Sequence, residues 1–91
     1  MSAVRDNEAA QRYELDVDGQ TAIAAYHREG DVVVFTHTKV PDALQGQGIA
    51  SRLIAGALAD VRAKGLKIEP LCAFVAAYVA RHPEAANIAP R

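Results

Sequence analysis

The chain of 91 residues is one domain at most, and with 51% hydrophobic residues but no Trp its core has to be built from Ala, Val, Leu and Ile. Ten basic residues against eleven acidic ones, without a clustered Lys/Arg stripe, argue against a nucleic-acid partner. No apolar run approaches the ~20 residues that span a bilayer, and MSAVRDNEAAQR has no hydrophobic signal region, so no membrane partner and a cytoplasmic location are expected.

Residues 1–12 are polar, charged and Ala-rich without a period, and read as a flexible lead-in to a domain covering 13–91. From Tyr13 the pattern is strand-like: Tyr13, Leu15 and Val17 alternate with Glu14 and Asp16, and Asp18-Gly19 marks a hairpin turn. A second strand runs from Thr21 to His27, REGD supplies another turn, and Val32 to Val40 form a third strand rich in β-branched residues. These three strands are expected to be antiparallel.

Pro41 closes the third strand because it has no N–H to give to a ladder. Ile49, Leu53, Ala57 and Val61 then recur every four residues, with Ile54 and Leu58 beside them, which predicts an amphipathic helix of about four to five turns. Gly65 caps it. LKIEPLC reads as a short buried strand ended by Pro70, and a strand, helix, strand connection sets it parallel to the third strand. A last helix near Ala73 to Arg81 is stopped by HPE. The expected fold class is α/β with a mixed α+β sheet: three antiparallel strands, a helix, a parallel strand and a C-terminal helix.

Two glycines, Gly46 and Gly48, stand where the long helix must start. The first turn of a helix has unpaired N–H groups that form an anion site, and glycines let a ligand's oxygens approach them closely. The pattern is not a P-loop, since no Lys-Ser/Thr follows, and it lacks the third glycine and the later acid of a dinucleotide site. On spacing alone, a plain loop-to-helix junction accounts for it equally well.

Gln45-Gly46-Gln47-Gly48-Ile49-Ala50, directly after a strand ending Val40-Pro41, resembles the Gln/Arg-x-x-Gly-x-Gly/Ala signature of the GNAT N-acetyltransferase superfamily. HTKVP, GQGIASRL and GLKIEPLCAFVAAYVARHPE extend the resemblance to a small single-domain branch, from Tyr13 to about Ile88. The chain departs from that branch at Lys39, where Glu is frequent, at Ala73, where Pro is frequent, and at Ala85, where an aromatic is frequent. The resemblance implies a minimal GNAT-like fold and an acetyl-CoA-dependent N-acetyltransferase acting on an unknown amine; direct transfer is expected, because a free Cys such as Cys72 is more often a small buried hydrophobe than a nucleophile. It implies that the coenzyme A pyrophosphate rests on the amides of Gly46 to Ala50, within a cofactor site of Thr38, Val40 and the run from Gln45 through Gln47, Gly48 and Ile49 to Ser51. It places the thioester near His37 to Val40, with a backbone N–H near Val40 as oxyanion donor. Only the Asp18-Gly19 turn stands where ordinary relatives insert helices to wall the acceptor, so that site is expected to be open or completed by a second subunit, as in a homodimer.

Three residues are candidates for catalysis. Tyr78 matches the tyrosine that relatives keep as general acid, since a phenol carries a proton at neutral pH and can give it to a thiolate; it also sits one turn after Phe74, where packing alone explains an aromatic. Cys72 precedes a helix whose dipole favours a thiolate, which makes it a candidate nucleophile or a small buried hydrophobe. His37 could deprotonate the amine or simply face solvent. Arg52, one turn into the helix, is placed to meet a coenzyme phosphate or water. No histidines are spaced i, i+4 and one cysteine completes no ligand set, so no metal is expected. Two readings of other classes stand beside the enzyme: a coenzyme A-binding module without turnover, and a protein-interaction domain that has lost the ligand.

Overall fold

Asp18 and Gly19 both take left-handed backbone angles and join β2 (Arg12–Val17) to β3 (Gln20–Glu29), with Val17 paired to Gln20. Gly30 and Asp31 turn β3 into β4 (Val32–Lys39), where Glu29 pairs with Val32. The computed structural model, which describes residues 3–89, continues with α1 (Ile49–Ala63), β5 (Lys67–Pro70) and α2 (Ala73–Arg81). β5 lies parallel to β4, as the crossover requires, with Val33 opposite Ile68 and Phe35 opposite Pro70. The result is a mixed five-stranded sheet with two helices, compatible with a minimal GNAT-like fold.

The sheet starts before Tyr13. Arg5–Asn7 form an edge strand, β1, antiparallel to β2 with Arg5 opposite Glu14 and Asn7 opposite Arg12. A three-residue edge strand buries too little to impose a hydrophobic period, so its pattern reads as lead-in. What holds it is polar. Arg5 and Arg12 each reach Glu14 at 2.6 Å, and the Asn7 amide donates to the same carboxylate at 3.2 Å. Glu14 is therefore buried, with 5% of its side chain exposed, although it alternates with Tyr13 and Leu15.

The hydrogen bond from Arg12, followed by those from Asn7 and Arg5, holds the Glu14 carboxyl below its usual range against a burial that would raise it. The stabilisation is thus present above the unfolded carboxyl value of about 4.3 and is lost as pH falls through the lower folded value. Urea midpoints should drop between about pH 5 and pH 3, and Glu14→Gln should shrink that drop. An unchanged pH dependence in the variant would assign the acid sensitivity to other carboxylates.

One face of the sheet carries the core. Tyr13, Leu15, Ala22, Ala24, Val33 and Phe35 pack against α1 through Leu53, Ala57 and Val61 and against α2 through Val75 and Val79. These are the positions that recur every four residues in α1, and each fully buried Leu or Val contributes about 1.5–3 kcal/mol. A polar clasp fixes the far end of α1: the Tyr13 hydroxyl donates to Asp60 at 2.6 Å, the Tyr26 hydroxyl donates to Asp6 at 2.5 Å, and Lys64 bridges both carboxylates. Gly56, in the middle of α1, has its own reason. A Cβ there would stand 2.5 Å from a methyl of Val4, so only glycine lets the segment before β1 cross the helix.

Candidate functional site

The site begins with two irregularities of β4. Between Ala25 and Tyr26 of β3 the register shifts: Ala25 faces His37 while Tyr26 faces Phe35, leaving Thr36 as an extra residue. The bulge changes the strand's phase. Phe35 points into the core, and Thr38, three positions on and opposite the buried Ala24, lies on the same side of the sheet, whereas His37 and Lys39 turn to the helix-free face. The second irregularity is a fork. Pairing with β5 ends at Phe35, whose carbonyl accepts from both Leu71 at 3.0 Å and Cys72 at 2.9 Å. From Thr36 onward β4 has no partner strand on that side among the described residues.

Beyond the fork, Pro41 and a short 3-10 turn (Asp42–Leu44) lead to the two glycines. Gly46 and Gly48 have φ of 81° and 73°, left-handed angles that cost an L-residue about 1–2 kcal/mol. Gly48 is the N-cap of α1, and no side chain caps the helix. Among the described residues no backbone carbonyl pairs with the N–H groups of Gly46 to Ser51, while the next amide, Arg52, already bonds to Gly48. A Cβ added at either glycine would meet nothing within 4 Å. Open space thus lies in front of a row of unpaired donors. Gln45 braces the turn by donating to the Val40 carbonyl and to Asp42, each at 3.4 Å.

The turn and β4 enclose a cleft of about 430 Å³. Of the residues assigned to a cofactor from the sequence, Thr38, Val40, Gln45, Gly46, Gly48, Ile49, Ala50 and Ser51 line it. Gln47 does not; it lines a neighbouring hollow with Asp16, Asp18 and Arg52, and Ile49 separates the two. Leu44 and Phe74 complete the cleft and were not assigned to it. Phe74 reads in the sequence as the packing partner of Tyr78, and only the approach of α2 to the glycine turn makes it a wall.

The catalytic candidates sit in three different settings. Cys72 is the N-cap of α2 and its Sγ lies 3.2 Å from the Thr38 hydroxyl, across the mouth of the fork. Burial alone would raise its thiol, but the Thr38 hydroxyl and the N–H groups of Val75 and Phe74 outweigh burial and hold it below the usual thiol value. Tyr78 lies one turn beyond Phe74, half-buried, with its ring 4.5 Å from that of His82 and no hydrogen-bond partner for its hydroxyl among the described residues. His37 is exposed on the opposite face of β4. The fork therefore joins Cys72 to the cleft through Thr38 and separates it from His37. Among the described residues no group of three or more His, Cys, Asp or Glu could hold a metal, and no helix is long and apolar enough to cross a membrane.

A family model described as GCN5-related N-acetyl-transferase matches residues 12–88, which include β2 to β5, both helices and the glycine turn. The chain belongs to this family. Among curated relatives, the GCN5-related domain is 38% identical over 63 residues to Protein NATD1 of Gallus gallus, covering 68% of this chain and 57% of that protein. It is 38% identical to Protein NATD1 of Homo sapiens over the same length, covering 68% and 56%. Protein NATD1 of Xenopus tropicalis gives 36%, covering 68% and 58%. The match thus spans little more than half the length of these relatives. Membership of the GCN5-related family makes the chain an acetyltransferase-like domain.

Proposed function

We propose that the protein binds acetyl-CoA in the cleft between β4 and the glycine turn and transfers its acetyl group directly to an amine, working in the cytoplasm. The observation that carries this reading is the row of uncapped N–H groups from Gly46 to Ser51 on residues that, but for Gln47, line an open cleft. Such a row suits a pyrophosphate, because the donors and the helix dipole both favour negative charge. The free edge of β4 from Thr36 to Lys39 suits the two amides of pantetheine, which can pair with it as an added strand would. The residues present fit the cofactor.

Acetyl-CoA, when bound, supplies the acetyl group as an activated thioester. His37, on the helix-free face, takes the proton from the incoming ammonium. A backbone N–H of the unpaired edge near Val40 holds developing negative charge on the carbonyl oxygen. Tyr78 carries a proton at its hydroxyl for the departing thiolate. In sum the amine nitrogen bonds to the acetyl carbon and the carbon–sulfur bond breaks; the first proton from nitrogen goes to His37, and the second replaces the one that Tyr78 gives the departing thiolate. Because both helices pack on one face, no helix among the described residues covers the other, and this favours a second reading: a coenzyme A-binding module without turnover.

Calorimetric titration with acetyl-CoA and with pantetheine tests the cradle. Binding of the first alone supports the pyrophosphate site, and binding of neither refutes it. Tyr78→Phe should lower turnover by about 10²-fold or more with nearly unchanged acetyl-CoA affinity; undiminished turnover removes Tyr78 from the mechanism. Cys72→Ala should retain most of the transfer rate, with no acetylated protein seen by intact mass for either form. An acetyl adduct on the unmodified chain that disappears in Cys72→Ala, together with lost activity, would replace direct transfer by a covalent route.

A further inference from the structure

We propose that the hollow on the helix-free face, between Lys39 and Arg12, holds the acceptor and selects a small amine that carries a carboxylate, of the free amino-acid class. The inference rests on the acetyl-transfer reading above. The hollow, about 540 Å³, is large enough for such a molecule. It backs onto the cofactor cleft across a single strand: Thr38 and Val40 line the cleft, and the alternate residues Lys39 and Pro41 line the hollow.

Its charge is one-sided. Arg5, Arg12 and Lys39 stand against one carboxylate, Glu14, which is already saturated by both arginines and Asn7. Arg5 also reaches Asp16. The Lys39 side chain has no ion-pair or hydrogen-bond partner among the described residues, so its charge is uncompensated. A cationic amine without a counter-charge is repelled there, whereas a carboxylate meets the ammonium directly. Ile23, half-buried and paired with Lys39 across the strands, offers an apolar wall for the acceptor's carbon chain. His37 shares the face two residues before Lys39, a separation of about 7 Å. A carboxylate on Lys39 and an amine near His37 can therefore belong to one small molecule. A long basic peptide satisfies neither condition.

The experiment compares acceptors that differ only in the carboxylate: phenylalanine with phenethylamine, and leucine with 3-methylbutylamine, with a lysine-rich peptide alongside. Thiol release from acetyl-CoA should favour each amino acid over its amine by about fivefold or more in kcat/KM, and Lys39→Glu should reverse the preference. Amide NMR of the coenzyme A-bound protein gives a readout that needs no turnover: the amino acids should shift Ile23 and Lys39, and the decarboxylated amines should not. Transfer without discrimination, or best to the basic peptide, overturns this inference and leaves the transfer reading standing. Shifts at Ile23 and Lys39 without any transfer support the hollow and count against the transfer reading. Absence of those shifts with either amino acid overturns the inference.

Discussion

Gly48→Val is expected to weaken acetyl-CoA binding by about a hundredfold or more, roughly 2.7 kcal/mol, while the domain stays folded. Two effects act together at this position. A β-branched side chain resists the left-handed angle that Gly48 adopts as N-cap, so the first N–H groups of α1 are re-aimed. The new methyl groups also occupy the open space in front of those donors, where a phosphate oxygen has to approach. The conformational cost, about 1–2 kcal/mol, is small enough for a folded variant, which circular dichroism and a modest drop in Tm would verify. Calorimetry then reads the binding. A folded Gly48→Val protein with wild-type affinity would mean that the turn holds no cofactor.

Phe35→Ala should give the largest loss of stability, about 3–5 kcal/mol, a large share of the about 5–15 kcal/mol that keeps an ordinary domain folded. Phe35 is fully buried, and its ring lies 6.1 Å from that of Tyr13 and 6.3 Å from that of Tyr26. It is also the last residue of β4 paired with β5, and its carbonyl anchors Leu71 and Cys72. A cavity there loosens the core and the fork at once. Chemical denaturation should show a much lower midpoint, and any residual folded protein should bind acetyl-CoA poorly. A loss below about 1 kcal/mol would show that the site collapses around the missing ring.

Several elements are legible in the sequence because a local rule imposes each one. Asp18-Gly19 specifies its turn through backbone angles that few other pairs adopt, and β2 and β3 follow in register. The four-residue recurrence from Ile49 to Val61 defines α1 because only a helix brings those positions to one face. β1 escaped, since its order comes from the Arg5, Arg12 and Glu14 contacts and not from apolar alternation. Eight residues named from the resemblance to the GNAT signature line the cleft; Leu44 and Phe74 line it without being named, and Gln47 lines the neighbouring hollow.

By itself the sequence determined the order of elements from β2 to α2, the burial of α1 and the position of the glycine turn, since turn chemistry and side-chain period act over a few residues. The tertiary structure alone decided which face each residue of β4 shows. Simple alternation from Phe35 puts His37 and Lys39 in the core and Thr38 outside, and the extra residue Thr36 inverts that arrangement. The fork at Phe35, the contact of Thr38 with Cys72 and the cationic hollow beside Lys39 all depend on that inversion and on strands distant in sequence. A bulge is fixed by how two strands pair, and no property of a single strand announces it.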